Sequence, residues 1–313
     1  MTGVHLHTHG HVHTGVSANG TLMQRAALAA VAVATLLIVL KLVAYIITDS
    51  IAMMASLADS ALDLFASTVN LLAIRHALTP ADAEHRFGHG KAEPLAGLMQ
   101  GAFIAGSVAF LSIESLSRLV APHTIEHGGI ALGVMGVSIA VTIALIAFQQ
   151  FAVIRTGSIA VSADRMHYVG DLLTNLGVML SVVLSTQFGI LIADPIIGLG
   201  VAAVLTLSAW HVFRQSYDQL MDHELPESER EKIKAIVMRH ADVLNLHDLR
   251  TRMAGISTFI QLHIEMDPAI SLTRAHEVSD AVEHDICHAF PNAEVMIHQD
   301  PAGVEAPPPL AQS

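Results

Sequence analysis

Residues 51–74 read IAMMASLADSALDLFASTVNLLAI, an apolar run whose only charges are Asp59 and Asp63. A helix needs about 20 mostly apolar residues to cross a bilayer, and this run supplies them. It also carries two carboxylates spaced i, i+4, which a helix projects from one face. Just upstream, past a tight Thr48-Asp49-Ser50 turn, Ala26 to Ile47 is a second such run, broken only by Lys41. Downstream come Pro94 to Val120, Ile130 to Val153, Ala160 to Thr186, and the shorter, glycine-richer Pro195 to Val212. The reading is an α-helical membrane protein with six transmembrane helices.

Bulk composition agrees. Of the 313 residues, 52 % are apolar and 14 % charged, and the mean hydropathy is +0.54. A soluble domain carries about a quarter charged residues. The charge is uneven: residues 1–220 are apolar in long blocks, whereas 222–300 read as an ordinary soluble sequence. Four regions follow: a His-rich tail over 1–22, a membrane domain over 23–215, a soluble domain over 216–301, and a proline- and alanine-rich, disordered tail over 302–313. The single cysteine, Cys287, rules out an internal disulfide and any CxxC zinc site. That leaves carboxylates and the 20 histidines as metal ligands. A formal net charge of -12 argues against nucleic acid as a partner. The N-terminus lacks the basic and short apolar regions of a signal peptide.

Arg25, Arg75, Arg86, Lys91, Arg155, Arg165 and Arg214 all fall on one side of the predicted bundle. Arg118 and the intraspan Lys41 are the exceptions. By the positive-inside rule both termini are cytoplasmic. From Glu224 onward the pattern is helix, strand, strand, helix, strand. Pro226 opens a helix with Ile233, Ile236 and Val237 on one face, ending near His240. His247 to Arg252 and Thr258 to Met266 alternate as strands do. Ser271 to Phe290 is helical, with Leu272, Ala275, Val278, Val282 and Ile286 on one face, and Val295 to His298 is a third strand. This is a small α+β domain of ferredoxin-like type.

Ionisable groups inside a bilayer are costly and point to function. The second span holds Asp59 and Asp63; the fifth holds His167 and Asp171 in HYVGD, again i, i+4. If the two faces meet, three carboxylates and an imidazole converge, a tetrahedral set suited to zinc or a neighbouring divalent ion. The alternative is four separate polar residues, each hydrogen-bonded within the bundle. With no intramembrane cation expected nearby, the carboxylates would repel one another unless a metal joined them. Glu114 and Arg118, also i, i+4 but of opposite charge near a span end, read as a structural ion pair.

SLADSALD, ADAEHRFGHGKAEPLAGL, ADRMHYVGDLLTN, HDLRTRMAG, IQLHIEM and IHQDP together resemble the cation diffusion facilitator family, in particular its bacterial inner-membrane zinc and ferrous-iron efflux branch. The resemblance spans Met23 to Pro301. It implies a homodimer of six-helix protomers in the bacterial inner membrane, with a cytoplasmic metal-binding domain and Zn2+ as both transported substrate and regulatory ligand. Its transport site falls on Asp59, Asp63, His167 and Asp171; histidine first in the fifth-span pair resembles the zinc and iron branches, where manganese branches place aspartate. It implies a second metal site at Asp82, His85 and His89, which spacing alone leaves open as a solvated polar loop. It further implies a binuclear site lined by His247, His263, His276, His298 and Asp300 at the dimer interface. Gln299 would serve there only through its backbone or behind the ligands, and Lys91 and Asp222 resemble an ion pair that fastens the protomers.

His5, His7, His9, His11 and His13 alternate with small or apolar residues, a tract that holds metals weakly. His284 and His288 are i, i+4 but read as decoration of an exposed helix face. The expected function is divalent-metal efflux by metal/proton antiport with alternating access, Zn2+ first and Cd2+ or Fe2+ as alternatives; the partners are protons, membrane lipid and a second copy of the chain. A membrane-anchored metal sensor is the competing reading, although an anchor needs no ligands in the bilayer. A metalloenzyme is disfavoured: there is no HExxH motif, and four protein ligands leave a metal no open position.

Overall fold

The computed structural model describes residues 18–48, 51–120, 129–190 and 192–303. The N-terminal histidine tract, the Asp49-Ser50 turn and the tail from 304 lie outside the described residues. Six long helices come first: α1 (Ala18–Thr48), α2 (Ile51–Ala77), α3 (Ala92–Val120), α4 (Gly129–Thr156), α5 (Ile159–Phe188) and α6 (Ala193–Leu220). Then follow α7 (Glu227–Val237), β1 (Asn245–Ala254), β2 (Ser257–Met266), α8 (Leu272–Ala289) and β3 (Ala293–Pro301).

Among the described residues α1, α2, α3, α4 and α6 contain stretches long and apolar enough to cross a membrane. The remaining long helix, α5, carries Asp164, Arg165, His167 and Asp171 in its first half and packs against α3, α4 and α6. The bundle buries a set of polar side chains and turns large apolar ones outward. Ile46, Phe110 and Leu207 are 71 %, 73 % and 71 % exposed, whereas Ser60, Asp63, Ser67, Asn70, Gln100, Gln149, Asp164 and His167 are buried. Water would not tolerate that outer surface, and hydrocarbon accepts it. Helices in lipid associate through small residues, and α3 meets α6 that way, Ser216 seated against Gly97 and Ser115 against Gly198.

Helix ends follow local chemistry. Ser158 caps α5 by accepting from Val161 N, and Gly189 ends it at φ 68. α6 continues past the apolar run to Leu220, carrying the chain out to the C-terminal domain. There Ser271 caps α8 by accepting from Arg274 N, and Pro226 precedes Glu227 and Glu229 in the first turn of α7. Carboxylates at that end complement the helix dipole.

The C-terminal domain is a three-stranded sheet in the order β1-β2-β3. β1 and β2 are an antiparallel hairpin, and β2 and β3 are parallel through the α8 crossover. The period-2 alternation of β2 turns Ile260, Leu262, Ile264 and Met266 toward α7 and α8, where they pack with Ile233, Ile236, Val237, Val278, Val282 and Ile286. Burying each such side chain stabilises the domain by about 1.5–3 kcal/mol. His263 and Glu265 therefore face the other side of the sheet.

The β1–β2 hairpin tip docks on the helical bundle. Gly255 adopts φ 61, its carbonyl accepts from Gln219 Nε2 at 3.1 Å, and Ile256 packs against the cluster containing Met23, Ile74, Ala96 and Ala160. A Cβ at Gly90 would lie 2.2 Å from Ala254 O, so only glycine permits this approach. Arg252 stacks on Phe259 at 4.2 Å and on Phe87 at 5.4 Å, and Asp222 accepts from Arg252 at 3.3 Å. The Lys91–Asp222 pair, at 3.0 Å, forms here within one chain.

Candidate metal centre

Three clusters of metal-ligating side chains occur among the described residues: Asp63, His167 and Asp171; Asp82, His85 and His89; and His247, His263 and Asp300. The first lies inside the helical bundle. His167 Nε2 is 3.1 Å from Asp63 Oδ1 and 3.7 Å from Asp171 Oδ2. Tetrahedral zinc with bonds of about 2.0–2.1 Å holds its ligand atoms about 3.3 Å apart, so these separations bracket what a bound ion needs. Asp63 and His167 are each 8 % exposed. Asp59, one turn earlier on α2, is exposed and stands outside this triad.

The expectation that no intramembrane cation lies near these carboxylates does not hold. Lys41 of α1 donates to Ser60 Oγ at 2.6 Å and to Ser56 O at 3.1 Å, and its ammonium attracts Asp59 and Asp171. One lysine in an apolar run gives no sign of which neighbour it faces. Sequence reading also missed Asp164, which is 1 % exposed. Its Oδ1 accepts from Gln100 Nε2 at 3.1 Å and from Ser67 at 3.4 Å, and its Oδ2 from Gln149 Nε2 at 2.7 Å. Donors from α2, α3 and α4 thus hold α5 one turn before His167. Glu114 pairs with Arg118 at 2.8 Å as expected, and Arg118 also reaches Asp194 at 2.9 Å.

The second cluster is on the loop between α2 and α3. Asp82 Oδ1 accepts from the backbone N–H of His85 and Glu84 at 2.7 and 2.9 Å, which folds the loop into a tight turn. These bonds, His85 foremost, hold the Asp82 carboxyl below its ordinary pKa. Asp82 lies 3.4 Å from both His85 Nδ1 and His89 Nε2.

The third cluster is a rung across the sheet. β1 places His247 opposite His263, and β3 places His298 opposite His263. Asp300 binds all three, at 3.4 Å to His247, 2.9 Å to His263 and 3.1 Å to His298. Two carboxylates that sequence reading passed over join the rim. Glu265 is 3.5 Å from His247, and Asp248 is 3.8 Å from His263. Asp248 sits at a register shift in β1 with φ 48, a conformation an aspartate holds at some cost. His276 does not join the rung within one chain; it lies on α8, across the sheet, 3.6 Å from Asp280. Gln299 also turns away, donating to Ser279 Oγ at 2.8 Å, because side chains alternate along β3. His284 is exposed, 3.6 Å from Asp285.

The sequence pattern of the cation efflux transmembrane domain matches residues 27–221, and that of the cation efflux protein cytoplasmic domain matches 225–302. The chain belongs to the cation efflux family. It is 41 % identical over 283 residues to the cation-efflux pump FieF of Serratia proteamaculans (strain 568), covering 90 % of this chain and 94 % of that one. It is 42 % identical over 285 residues to the pump of the same name in Salmonella agona (strain SL483), covering 91 % and 95 %. Among solved structures, the metal-bound C-terminal domain of the CzcD transporter from Thermotoga maritima is 29 % identical, covering 26 % of this chain and all of that one, with a TM-score of 0.24. The resemblance to cation diffusion facilitators is thereby established. The protein is a multi-pass membrane transporter of the cation efflux family, not an enzyme.

Proposed function

We propose that the protein exports a divalent transition metal, Zn2+ foremost, from the cytoplasm of a bacterium across its inner membrane in exchange for protons. The observation that carries this reading is the buried triad of Asp63, His167 and Asp171 in the bundle. His167 Nε2 faces Asp63 Oδ1 at hydrogen-bond distance, so a proton can bridge the same two groups that a metal would join. A metal needs neutral imidazole and ionised carboxylates. Loading it from the cytoplasm expels that proton, and protonation from the opposite side releases the metal. The carboxylates and imidazole titrate together as one site. Asp59 completes the tetrahedral set by a rotamer change, and Lys41 moderates the repulsion among the acids.

Alternating access moves the helices around this fixed point. Both termini are cytoplasmic, and the chain works as a homodimer. The loop cluster of Asp82, His85 and His89 binds metal at the cytoplasmic face. The rung of His247, His263, His298 and Asp300 binds regulatory zinc in the cytoplasmic domain, and His276 serves that site only in the dimer. The test is metal flux in proteoliposomes with simultaneous pH recording inside the vesicles. Zinc movement accompanied by opposite proton movement supports the reading; zinc flux with no proton counter-movement at any imposed gradient rules out antiport.

A further inference from the structure

The loop cluster has a neighbour that neither its spacing nor the family pattern singles out. His76 occupies the last turn of α2, and its ring centroid lies 4.6 Å from that of His89, with His85 on His89 at 4.5 Å. Three imidazoles and the Asp82 carboxylate therefore share one corner of the molecule. His89 is already oriented as a ligand. Its Nδ1 is 3.4 Å from Thr79 O, and its Nε2 faces Asp82 Oδ2 at 3.4 Å. A metal-binding imidazole is ordinarily fixed by donating its other N–H to a carbonyl or carboxylate in this manner. Thr79 is itself set by His76, whose carbonyl accepts from Thr79 N at 3.0 Å and from Thr79 Oγ1. The turn that carries His76 is thus the one that aims His89.

Three protein ligands leave zinc one open position, as in sites that exchange metal or water; four close it, as in sites that hold metal. We propose that His76 is a fourth ligand of the loop site, closing it around a divalent transition-metal ion of the zinc class. His76 is exposed at a helix end, so its side chain is free to swing the short distance from its contact with His89 to the ion. The other three ligands sit on the loop leading to α3, so the bound metal ties that loop to the end of α2, the helix carrying Asp59 and Asp63. The loop site is then a clamp on the cytoplasmic ends of two helices and holds its ion through many transport cycles. The proposal rests on Asp82, His85 and His89 forming a metal site, and the test separates the two.

Co2+ is the probe, because its visible absorption is strong in four-coordinate tetrahedral sites and weak in higher coordination. The full-length protein carries Asp63→Ala and His263→Ala to silence the other two clusters, and His5→Ala, His7→Ala, His9→Ala, His11→Ala and His13→Ala to remove the N-terminal histidine tract. In that background His76→Ala is expected to weaken Co2+ binding about tenfold or more and to shift the position and shape of the visible band, as a water oxygen replaces an imidazole nitrogen in the fourth position. His89→Ala is expected to abolish binding. Unchanged affinity and band in His76→Ala, with binding lost in His89→Ala, would leave a three-ligand loop site and overturn the proposal. Binding that survives His89→Ala would remove the loop site itself, and the proposal with it.

Discussion

Asp164 offers the sharpest test of how the bundle is held, because its surroundings can be counted. The carboxylate is buried and accepts from two side-chain amides, Gln100 on α3 and Gln149 on α4, and from Ser67 on α2. Asp164→Ala removes the acceptor and leaves the donors in place. Ser67 is the least affected, since it also lies 2.9 Å from Tyr168 OH. The two amide groups are each left without their partner in a low-dielectric interior, at about 1–3 kcal/mol apiece, so the expected loss is about 2–6 kcal/mol. Replacing the whole network should cost far less, because apolar groups of similar shape leave nothing unsatisfied. The triple variant Asp164→Leu, Gln100→Leu, Gln149→Leu is therefore expected to be more stable than Asp164→Ala. The assay is the thermal midpoint for loss of the monodisperse peak in detergent. A single variant as stable as wild type, or a triple variant that falls as far as the single, would refute the reasoning.

Three further predictions follow from separate parts of the molecule. Gly90→Ala places a Cβ against Ala254 O, a backbone atom that cannot rotate aside; the clash costs about 1–3 kcal/mol and should lift the hairpin tip, seen as faster amide exchange over 254–258, whereas unchanged exchange would contradict the docking. The depressed pKa of Asp82 means that its contribution to the loop is complete above its ordinary value of 3.8 and is lost as pH falls through the lower folded value. The carboxylate carbon shift of Asp82 should accordingly titrate below 3.8, and closer to 3.8 in Glu84→Pro, which deletes the weaker of the two N–H donors. Partial burial, with Glu283 adding to it, pushes the Cys287 thiol above its ordinary value of 9.0, so at pH 8 it should alkylate more slowly in the folded protein than in urea; equal rates would show the thiol to be open and unperturbed.

The parts legible in the sequence were those written in local periodicity. Long apolar runs located five of the membrane-length helices among the described residues, and the i, i+4 spacing of His167 with Asp171 put both on the face that meets Asp63. Alternation along β2 placed Ile260 and Leu262 in the core and His263 outside it. What stayed hidden was set by helix rotation and by contacts between distant segments. Nothing near Lys41 in sequence reveals that it reaches Ser60, and Gln100 and Gln149 read as isolated polar residues until three helices bring them to Asp164. Asp248 gained its place from a register shift that no alternation pattern announces. Asp59 shows the converse: its spacing puts it on the same face as Asp63, yet Asp63, His167 and Asp171 cluster without it, because spacing fixes a residue's face and not its rotamer.

The central claim is that metal passes through the bundle at Asp63, His167 and Asp171. The most direct test is zinc uptake into proteoliposomes under an imposed pH gradient, comparing wild type with Asp63→Ala at equal protein incorporation. The account predicts gradient-dependent uptake by the wild type and uptake no greater than that of protein-free vesicles by the variant. Equal uptake by the two would place the metal path elsewhere and contradict it.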